Sequence, residues 1–391
     1  MTLTTEKTSS LPVRPVPRGR MVLFAGGGSG GHISPGLAIA ERLKELDPES
    51  QAFYLCSQRS IDKVMLDEAG AKYTSIPASP PSIHPIKAMR FLLNFRRSKR
   101  NAKKIFRELG VTYVVALGGF VAAPVVSAAR ACRIPILLIN LDNPPGKANR
   151  WMARRCVDVV TAIELPDLPN FATSIVGMPV RRRALAPAPA PGIESGQVQA
   201  CRSQLGLEPD RQTLLVTGAS QGSTSINEFI VAMAEREPDV FEGWQILHLA
   251  GTGAEENLEK RYETTGVPAL VRPFLHDMGL AWGAADLALS RAGASSVAEA
   301  AGNSVPTIFL PYPYHRDMHQ KFNARRMVEM GGALLETDAI EVEANLKRIG
   351  PRLRELMTNP LKLLAMRSVL RSNVPPDAAL IVARMLIEKS C

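Results

Sequence analysis

Short, unbroken apolar runs alternate along the chain with longer stretches of helical periodicity, and this rhythm is the strongest constraint on the fold. Residues 21–26 (MVLFAG) form the first such run, and residues 36–46 (GLAIAERLKEL) have the spacing of an amphipathic helix. Further strand-length runs in the first half occur at 51–56, 113–117, 134–139 and 157–163. Unbroken apolar strands that alternate with helices predict a parallel sheet covered by helices on both faces.

A proline-rich segment at 185–192 (LAPAPAPG) interrupts the rhythm and predicts an extended connection. Beyond it, strand-length runs resume at 213–218, 244–251, 268–274, 285–290 and 306–311. Because 391 residues are more than one core normally organises, we expect two doubly wound, Rossmann-like α/β domains. The predicted boundaries are a disordered leader at 1–20, an N-terminal domain at 21–177, a linker at 178–212, a C-terminal domain at 213–375 and a final helix at 376–391 that packs back on the N-terminal domain.

The composition narrows the class of protein. The five cysteines are scattered without a C-x-x-C pair, which favours free thiols in a reducing compartment over a zinc site or a disulfide framework. No run approaches the roughly 18 apolar residues that span a bilayer, and the first 20 residues lack the apolar region of a secretory signal. The formal net charge of +10 suits an anionic partner, such as a membrane surface, a phosphorylated ligand or nucleic acid.

Much of this positive charge lies in one stretch, residues 86–109 (IKAMRFLLNFRRSKRNAKKIFREL), which contains no acid before Glu108. An apolar stripe accompanies the basic residues: Ile86, Met89, Leu92, Leu93 and Phe95. A basic helix that presents large apolar side chains predicts contact with an anionic membrane surface. The alternative is a helix whose stripe packs on the core and whose lysines are solvated. Nucleic acid is not expected as a partner, because no known nucleic-acid motif is present.

The first strand runs into the glycine-rich segment 26–31, which His32 follows directly. A glycine loop between a strand and a helix exposes backbone N–H groups and the positive end of the helix, so it is a candidate diphosphate cradle. A nicotinamide dinucleotide would also need an acidic residue at the end of the second strand, where the sequence reads Cys56-Ser57-Gln58, and an oxidoreductase is therefore disfavoured. Beside such a cradle, His32 is a candidate base or diphosphate ligand.

Four more loops follow predicted strands, at the sheet edge where ligands of open α/β sheets bind. Gly118-Gly119-Phe120 follows the strand 113–117, and Ala219 to Ser223 follows the strand 213–218. The segment 290–296 (SRAGASS) predicts a helix N-terminus near Gly293, with Glu299 about one turn inside to accept hydrogen bonds from ribose hydroxyls. The fourth loop, at 311–327, follows the strand 306–311. It contains several polar side chains suited to a sugar: Asp317, His319, Gln320 and Asn323.

With these motifs in this order, the chain resembles the MurG family over residues 21–388. This family consists of GT-B glycosyltransferases that add N-acetylglucosamine to lipid I and so make lipid II for peptidoglycan. The segments that carry the resemblance are 27–40, 117–124, 177–181, 218–227, 273–278, 290–299 and 319–324. The resemblance implies two domains that face a central cleft, with UDP-N-acetylglucosamine as donor and an undecaprenyl-linked acceptor.

The resemblance also implies a role for each matching position. On the acceptor side, the residues implied to hold the diphosphate are Ser29, Gly30, Gly31, His32, Gly118, Gly119 and Asn143. On the donor side, the implied UDP-sugar ligands are Arg181, Ser220, Gln221, Leu275, Gly293, Ala294, Ser295, Ser296, Glu299, His319, Gln320 and Asn323. It further implies a peripheral location at the cytoplasmic face of the inner membrane, docked through 86–109, with cell-wall or division proteins as further candidate partners.

The chain departs from the family in a segment implied to serve the acceptor. Where the family usually has H-E-Q-N, this chain has Asn140-Leu141-Asp142-Asn143, so the family's glutamate is a leucine. Smaller departures are Phe120 for a tyrosine, Ala122 for a serine and Met178 for an asparagine. These changes leave open a transferase with the same donor but another lipid or glycan acceptor, and also a non-catalytic protein that binds UDP-sugars.

The expected reaction is a direct, inverting displacement, in which an acceptor hydroxyl attacks the anomeric carbon of the donor while a base removes its proton. We expect His32 as the base or a diphosphate ligand, with Asp142 in place of the missing glutamate. Arg181 and helix N-termini would stabilise the leaving UDP. No D-x-D-like motif is evident, so neither a metal nor another cofactor is expected.

Overall fold

A computed structural model describes residues 19–28, 30–80, 83–188, 196–218, 222–313 and 319–389. Within this part of the chain, the strands of the first sheet are β1 (Met21–Ala25), β2 (Gln51–Cys56), β3 (Tyr73–Ser75), β4 (Tyr113–Ala116), β5 (Ile136–Asn140), β6 (Asp158–Thr161) and β7 (Ser174–Ile175). Those of the second are β8 (Gln212–Thr217), β9 (Trp244–Leu249), β10 (Ala269–Arg272), β11 (Leu287–Ser290), β12 (Thr307–Phe309) and β13 (Ala333–Leu335). All pairings within both sheets are parallel.

The helices of the described residues connect and cover these strands. The N-terminal half contains α1 (Gly30–Leu46), α2 (Ser60–Glu68), α3 (Pro85–Leu109), α4 (Gly119–Ala131) and α5 (Lys147–Ala153). The remaining helices are α6 (Gln197–Leu205), α7 (Thr224–Arg236), α8 (Glu255–Thr265), α9 (Met278–Ala284), α10 (Ala294–Gly302), α11 (His319–Glu329), α12 (Val342–Arg348), α13 (Gly350–Met357), α14 (Pro360–Ser372) and α15 (Ala378–Glu388).

The strand order confirms the predicted pair of doubly wound sheets: β3-β2-β1-β4-β5-β6-β7 in the first and β10-β9-β8-β11-β12-β13 in the second. In each sheet the winding reverses beside the first strand, between β1 and β4 and between β8 and β11. Ligands of open parallel sheets bind at this switch point, beyond the carboxyl ends of the strands. Both glycine loops of the N-terminal half therefore lie at one switch point, and the loops after β8 and β11 lie at the other.

The apolar strands form because both faces of each sheet are buried. In β1, Val22 and Phe24 pack into a core with α1, while Leu23 and Ala25 point to the opposite side, into a core with α3 and α4. Side chains that alternate between two cores explain why these runs are apolar throughout. The structure also contains the short strands β3, β7 and β13. These were not predicted, because strands of two or three residues are too short to show a periodic pattern.

Helix α15 lies against the N-terminal half of the molecule, with Val382 and Leu386 buried in the same core as α1. Asp377 caps this helix by accepting a hydrogen bond from the backbone N–H of Leu380, at 3.0 Å. Its other carboxylate oxygen accepts a hydrogen bond from the buried Arg42 of α1, at 2.7 Å. The chain therefore crosses between the two halves twice, near 178–185 and again before Asp377.

The segment predicted as a linker at 178–212 is more structured than its prolines suggest. It contains a short 3-10 helix at Arg182–Ala184, and α6, which packs against α9. Arg202 of α6 is buried and forms a salt bridge with Asp286. Residues 189–195 of this segment and residues 1–18 of the predicted leader lie outside the described residues, while Arg20 forms a salt bridge with Asp47.

The basic stretch forms α3, as predicted, and its two halves differ. Ser98, Ala102 and Phe106 are buried against the sheet. In the first half, large apolar side chains are exposed: Ile86, Met89, Leu92 and Leu93. Within the described residues, no helix is both long and apolar enough to cross a bilayer.

Candidate active site

The first glycine loop is fastened to the neighbouring β2–α2 connection. The backbone N–H of Gly28 donates to both oxygens of Asp62, at 3.0 and 2.8 Å, and Arg59 Nη1 donates to the Gly28 carbonyl at 2.6 Å. The fully buried Asp62 also accepts hydrogen bonds from the backbone N–H and the hydroxyl of Ser57. A Cβ atom built on Gly27 would lie 2.3 Å from Asp62 Oδ2, so this position requires glycine.

This arrangement changes the expected role of the loop. The amide of Gly28 is already bound to a carboxylate of the protein, so the expected diphosphate site moves toward the start of α1, which begins at Gly30. Asp62 was not evident as a site residue in the sequence, because it lies inside a helix of ordinary composition. Ser29, a predicted diphosphate ligand, lies outside the described residues.

His32 lies in the first turn of α1, beside the second glycine loop. A Cβ atom built on Gly118 would lie 3.2 Å from His32 Nε2, and one built on Gly119 would lie 3.2 Å from the carbonyl oxygen of Gly27. Both glycines have positive φ, and the missing side chains let the two loops touch. Burial lowers the pKa of His32, while the negative charges of Asp142 and Asp62 oppose this shift.

Of the four residues at 140–143, Asp142 is the one whose charge acts on His32. Asp142 is exposed, and its carboxylate is close enough to His32 to act on the imidazole charge. Asn143 Nδ2 donates to the carbonyl of Glu164, at 3.1 Å. Leu141, at the position of the family's glutamate, is buried in the core with α1 and α15. The structure thus places the two predicted catalytic residues, His32 and Asp142, near each other.

In the C-terminal half, the predicted donor residues gather around the start of α10. Gly293 is the N-cap of this helix, and Ala294, Ser295 and Ser296 form its half-buried first turn. Asn323 Nδ2 of α11 donates to the carbonyl of Ala292, at 3.1 Å, and this bond ties α11 to the same turn.

Other predicted donor residues flank this turn or fall outside the described region. Gln320 Oε1 accepts a hydrogen bond from the backbone N–H of Tyr312 at 2.8 Å, while Leu275 packs half-buried on the domain core. Ser220, Gln221, Asp317 and the side chain of His319 lie outside the described residues.

A buried ion pair holds these loops together. Arg291 Nη2 lies 2.7 Å from Asp338 Oδ2, and the same guanidinium donates to Ser223 Oγ and to the Leu310 carbonyl. Ser225 also donates to Asp338, at 2.6 Å. This group connects the loops that follow β8, β11, β12 and β13. This ion pair could not be predicted from the sequence, because Asp338 lies far along the chain from the glycine motifs of the site.

A tryptophan of α9 fixes the carboxylate of Glu299, which lies inside α10. Trp282 Nε1 donates to Glu299 Oε2 at 3.0 Å. Burial raises the pKa of Glu299 to about 7, although the hydrogen bond from Trp282 and the charge of Arg183 act in the opposite direction. A carboxyl group that titrates near neutrality can exchange a proton when a ligand binds.

Three consecutive arginines near the domain crossing have three different environments. Arg181, predicted to face the donor, donates from Nε to Glu41 of α1 at 2.8 Å. The exposed Arg182 pairs with Glu45. Arg183, which the sequence analysis did not select, is half-buried, and its charge acts on Glu299. The role predicted for Arg181 stays a prediction, and Arg183 is the arginine of the three that acts on the donor-side carboxyl.

Among the described residues, no group of three or more His, Cys, Asp or Glu side chains lies close enough together to hold a metal ion.

Comparison with known proteins places this geometry in a family. The model of the glycosyltransferase family 28 N-terminal domain matches residues 22–161, and that of the C-terminal domain matches residues 213–379. A relative from Nocardioides sp., the UDP-N-acetylglucosamine–N-acetylmuramyl-(pentapeptide) pyrophosphoryl-undecaprenol N-acetylglucosamine transferase, is 34% identical over 370 residues, 94% of this chain and 97% of its own length. The chain belongs to the MurG family.

Other MurG relatives agree with this assignment. The protein of the same name from Corynebacterium efficiens is 33% identical and covers 93% of this chain and 96% of its own length. The crystal structure of Acinetobacter baumannii MurG superimposes with a TM-score of 0.68 at 23% identity, and covers 95% of this chain and all of that one. The GT-B architecture expected from the sequence is thereby confirmed, and the protein is a glycosyltransferase of this family.

Proposed function

We propose that the protein transfers N-acetylglucosamine from UDP-N-acetylglucosamine to the undecaprenyl-diphosphate-linked muramyl peptide, lipid I, with inversion at the anomeric carbon. The observation that carries the proposal is the position of His32. It stands at the start of α1 between two touching glycine loops, beside an exposed carboxylate, in a chain that belongs to the MurG family. A base with a lowered pKa next to an anion site is what attack by an acceptor hydroxyl requires.

On the acceptor side, the diphosphate lies against the first turn of α1 and the second glycine loop. The residues in this role are Ser29, Gly30, Gly31, Gly118, Gly119 and Asn143. Because Asp62 occupies the amide of Gly28, the adjacent guanidinium of Arg59 offsets the negative charge that the loop would otherwise present. Asp142 stabilises the imidazolium that His32 forms when it takes the hydroxyl proton.

On the donor side, Glu299 accepts hydrogen bonds from the ribose hydroxyls and the α10 N-terminus receives the α-phosphate. Leu275 contacts the uracil, while Gln320 and Asn323, with His319, meet the sugar. Ser220 and Gln221 join the phosphates, together with Arg181. We add Arg183 to this set, because its charge acts on Glu299 from within the domain crossing.

One observation favours a second candidate function, a transferase with the same donor but another lipid-linked or glycan acceptor. Leu141 lies in the hydrophobic core, so this chain offers no carboxylate at the position of the family's glutamate. Asp142, one residue further, approaches the site from a different backbone position. An acceptor sugar that needs a hydrogen bond at the original point would bind less well.

A direct assay separates these functions. Purified protein is incubated with radiolabelled UDP-N-acetylglucosamine and lipid I, and both UDP release and the lipid-linked disaccharide are measured. Transfer to lipid I, lost in His32→Ala at saturating donor, supports the proposal. Transfer only to other diphospholipid-linked sugars selects the second candidate, and donor binding without any transfer contradicts both.

We further propose that α3 docks the protein on an anionic membrane surface. Its first half exposes Ile86, Met89, Leu92 and Leu93, and basic residues flank them. In flotation with vesicles containing anionic lipid, Leu92→Glu/Leu93→Glu should abolish binding, because each of these exposed leucines would contribute about 1.5–3 kcal/mol when it becomes buried in the membrane. Leu361→Glu/Leu364→Glu, on the exposed face of α14, is the matched control and should float like the native protein. Equal loss in both variants would contradict a specific role of α3.

A further inference from the structure

Asn149 of α5 is a buried polar side chain whose orientation is fixed by its neighbours. It is 2% exposed, and its Nδ2 donates to Asn140 Oδ1 at 2.9 Å. Asn140 Oδ1 must be the acceptor, because Asn140 Nδ2 donates to the carbonyl of Asp142 at 2.7 Å and to Thr161 Oγ1 at 3.2 Å. This chain of hydrogen bonds determines that the oxygen of Asn149, and not its nitrogen, points away from Asn140.

That oxygen lies near the candidate base, at the position of Gly118. Among the described residues, no hydrogen-bond donor reaches Asn149 Oδ1, although the atom is shielded from solvent. A Cβ atom built on Gly118 would lie 3.0 Å from Asn149 Oδ1 and 3.2 Å from His32 Nε2, so both atoms border the space that a side chain at Gly118 would fill. A buried amide oxygen without a donor is unfavourable for folding, and a role in the site would explain why it is there.

We propose that Asn149 is a positioning residue for His32, and that its Oδ1 accepts the Nε2–H of the imidazole as the site closes on its substrates. A neutral imidazole carries one N–H, so a hydrogen bond at Nε2 places the proton-accepting lone pair on Nδ1. The inference rests on the proposed function only in naming what the base does. Catalytic hydrogen bonds are often long before substrate binds and shorten in the complex.

In the proposed reaction, His32 Nδ1 takes the proton of the acceptor hydroxyl as its oxygen forms the new bond to the anomeric carbon. The bond between that carbon and the β-phosphate oxygen breaks, and its electron pair leaves with UDP. The imidazolium that results keeps its Nε2–H on Asn149 and faces the carboxylates of Asp142 and Asp62, the acidic groups that act on it. Asn149 thus selects the tautomer without taking part in proton transfer.

The steady-state test uses three variants. Asn149→Ala should lower kcat about tenfold or more, part of the 10²–10⁴-fold that general base catalysis contributes, and leave the KM for the donor unchanged. Asn149→Asp keeps the shape but adds a charge, so the acid limb of the kcat/KM profile should move about one unit or more to higher pH. Thr161→Val is the matched control, because it removes a hydroxyl from the same network away from His32 and should leave that limb in place.

The second readout does not depend on turnover. In ¹⁵N NMR of the native protein with UDP bound, the His32 ring should show the Nε2–H tautomer, and Asn149→Ala should shift it toward a mixture. A native Nδ1–H tautomer, or a pH limb that Asn149→Asp leaves unmoved, would overturn the inference. Equal kinetic losses in Asn149→Ala and Thr161→Val would assign the network to folding alone. If lipid I is not an acceptor, the proposed function fails while the tautomer measurement still decides this inference.

Discussion

Each half of the molecule uses a buried aspartate to hold its ligand-side loops, but the two aspartates are compensated differently. Asp338 pairs with Arg291 and accepts hydrogen bonds from Ser225 and Asn345, so the carboxylate is neutralised by a cation of the protein. Although burial raises the pKa of Asp338, these contacts outweigh it and the pKa lies below its usual value. Asp62 instead binds the backbone amide of Gly28 and the side chain and backbone of Ser57.

This difference determines which groups of each half can bind an anion. In the C-terminal half, Arg291 neutralises the carboxylate of Asp338, and in the proposed function the first-turn amides of α10 bind a phosphate. In the N-terminal half, Asp62 binds the amide of the Gly28 loop and adds negative charge near His32. An anion there must therefore bind to Arg59 and to the start of α1. If the two edges bind donor and acceptor as proposed, the donor edge already has its carboxylate neutralised, whereas the acceptor edge depends on further contacts to the substrate, such as those to its lipid and its sugar.

The largest expected effect is on stability and comes from removing the cation of the buried Arg291–Asp338 pair. Arg291→Met should lower the free energy of unfolding by about 3–5 kcal/mol, because it leaves Asp338 buried without its cation. Urea unfolding of the isolated variant measures this. Arg236→Met removes an exposed partner of Glu343 and serves as the control, with an expected loss below about 1 kcal/mol. Similar losses in both variants would show that the buried pair does not hold the donor loops.

The fold could be predicted because the patterns that determine its strands and helices lie within short segments of the sequence. The runs at 21–26 and 213–218 are apolar on both faces, which only a covered parallel strand requires. The helix start at Gly293 could be predicted from the same kind of signal, since a glycine–serine turn after a strand marks an N-terminus. The helix in 197–205 was missed because neighbouring prolines dominated the pattern, and its burial against α9 depends on tertiary contacts.

Residues of the site could be predicted only where they lie within or next to a recognisable sequence motif. His32 and Glu299 lie within or next to glycine motifs, so their neighbourhood was visible in the sequence. Asp62 and Asn149 lie inside helices, and their importance comes from contacts with loops 34 residues away or with another helix. Among three adjacent arginines, the sequence could not tell which one approaches Glu299, because that depends on how the two domains meet.

The next effect tests Asp62, which binds backbone amides and the Ser57 hydroxyl where Asp338 binds an arginine. Asp62→Asn should destabilise the protein by about 1–3 kcal/mol, since an amide NH₂ would face the N–H groups that the carboxylate now accepts. It should also raise the KM for the acceptor, because the Gly28 loop loses its anchor, while the affinity for UDP stays unchanged.

Asp67→Asn, an exposed change on the same helix, is the control for this prediction and should change neither quantity. A variant of Asp62 that weakens UDP binding as much as acceptor use would contradict the separation of the two edges.

The smallest effect concerns the proton on Glu299. Burial raises its pKa to about 7, so below pH 7 the free protein mostly holds a proton there that a ribose-binding carboxylate must release. The affinity for UDP should therefore rise as pH increases through 7, by less than about tenfold per pH unit for one proton. Titration calorimetry at pH 6 and pH 8 measures both the affinity and the proton released. In Glu299→Gln the affinity should be lower and flat across this range. If the native protein is equally flat, Glu299 does not meet the donor, and the donor edge must bind its nucleotide through the α10 amides and the arginines alone.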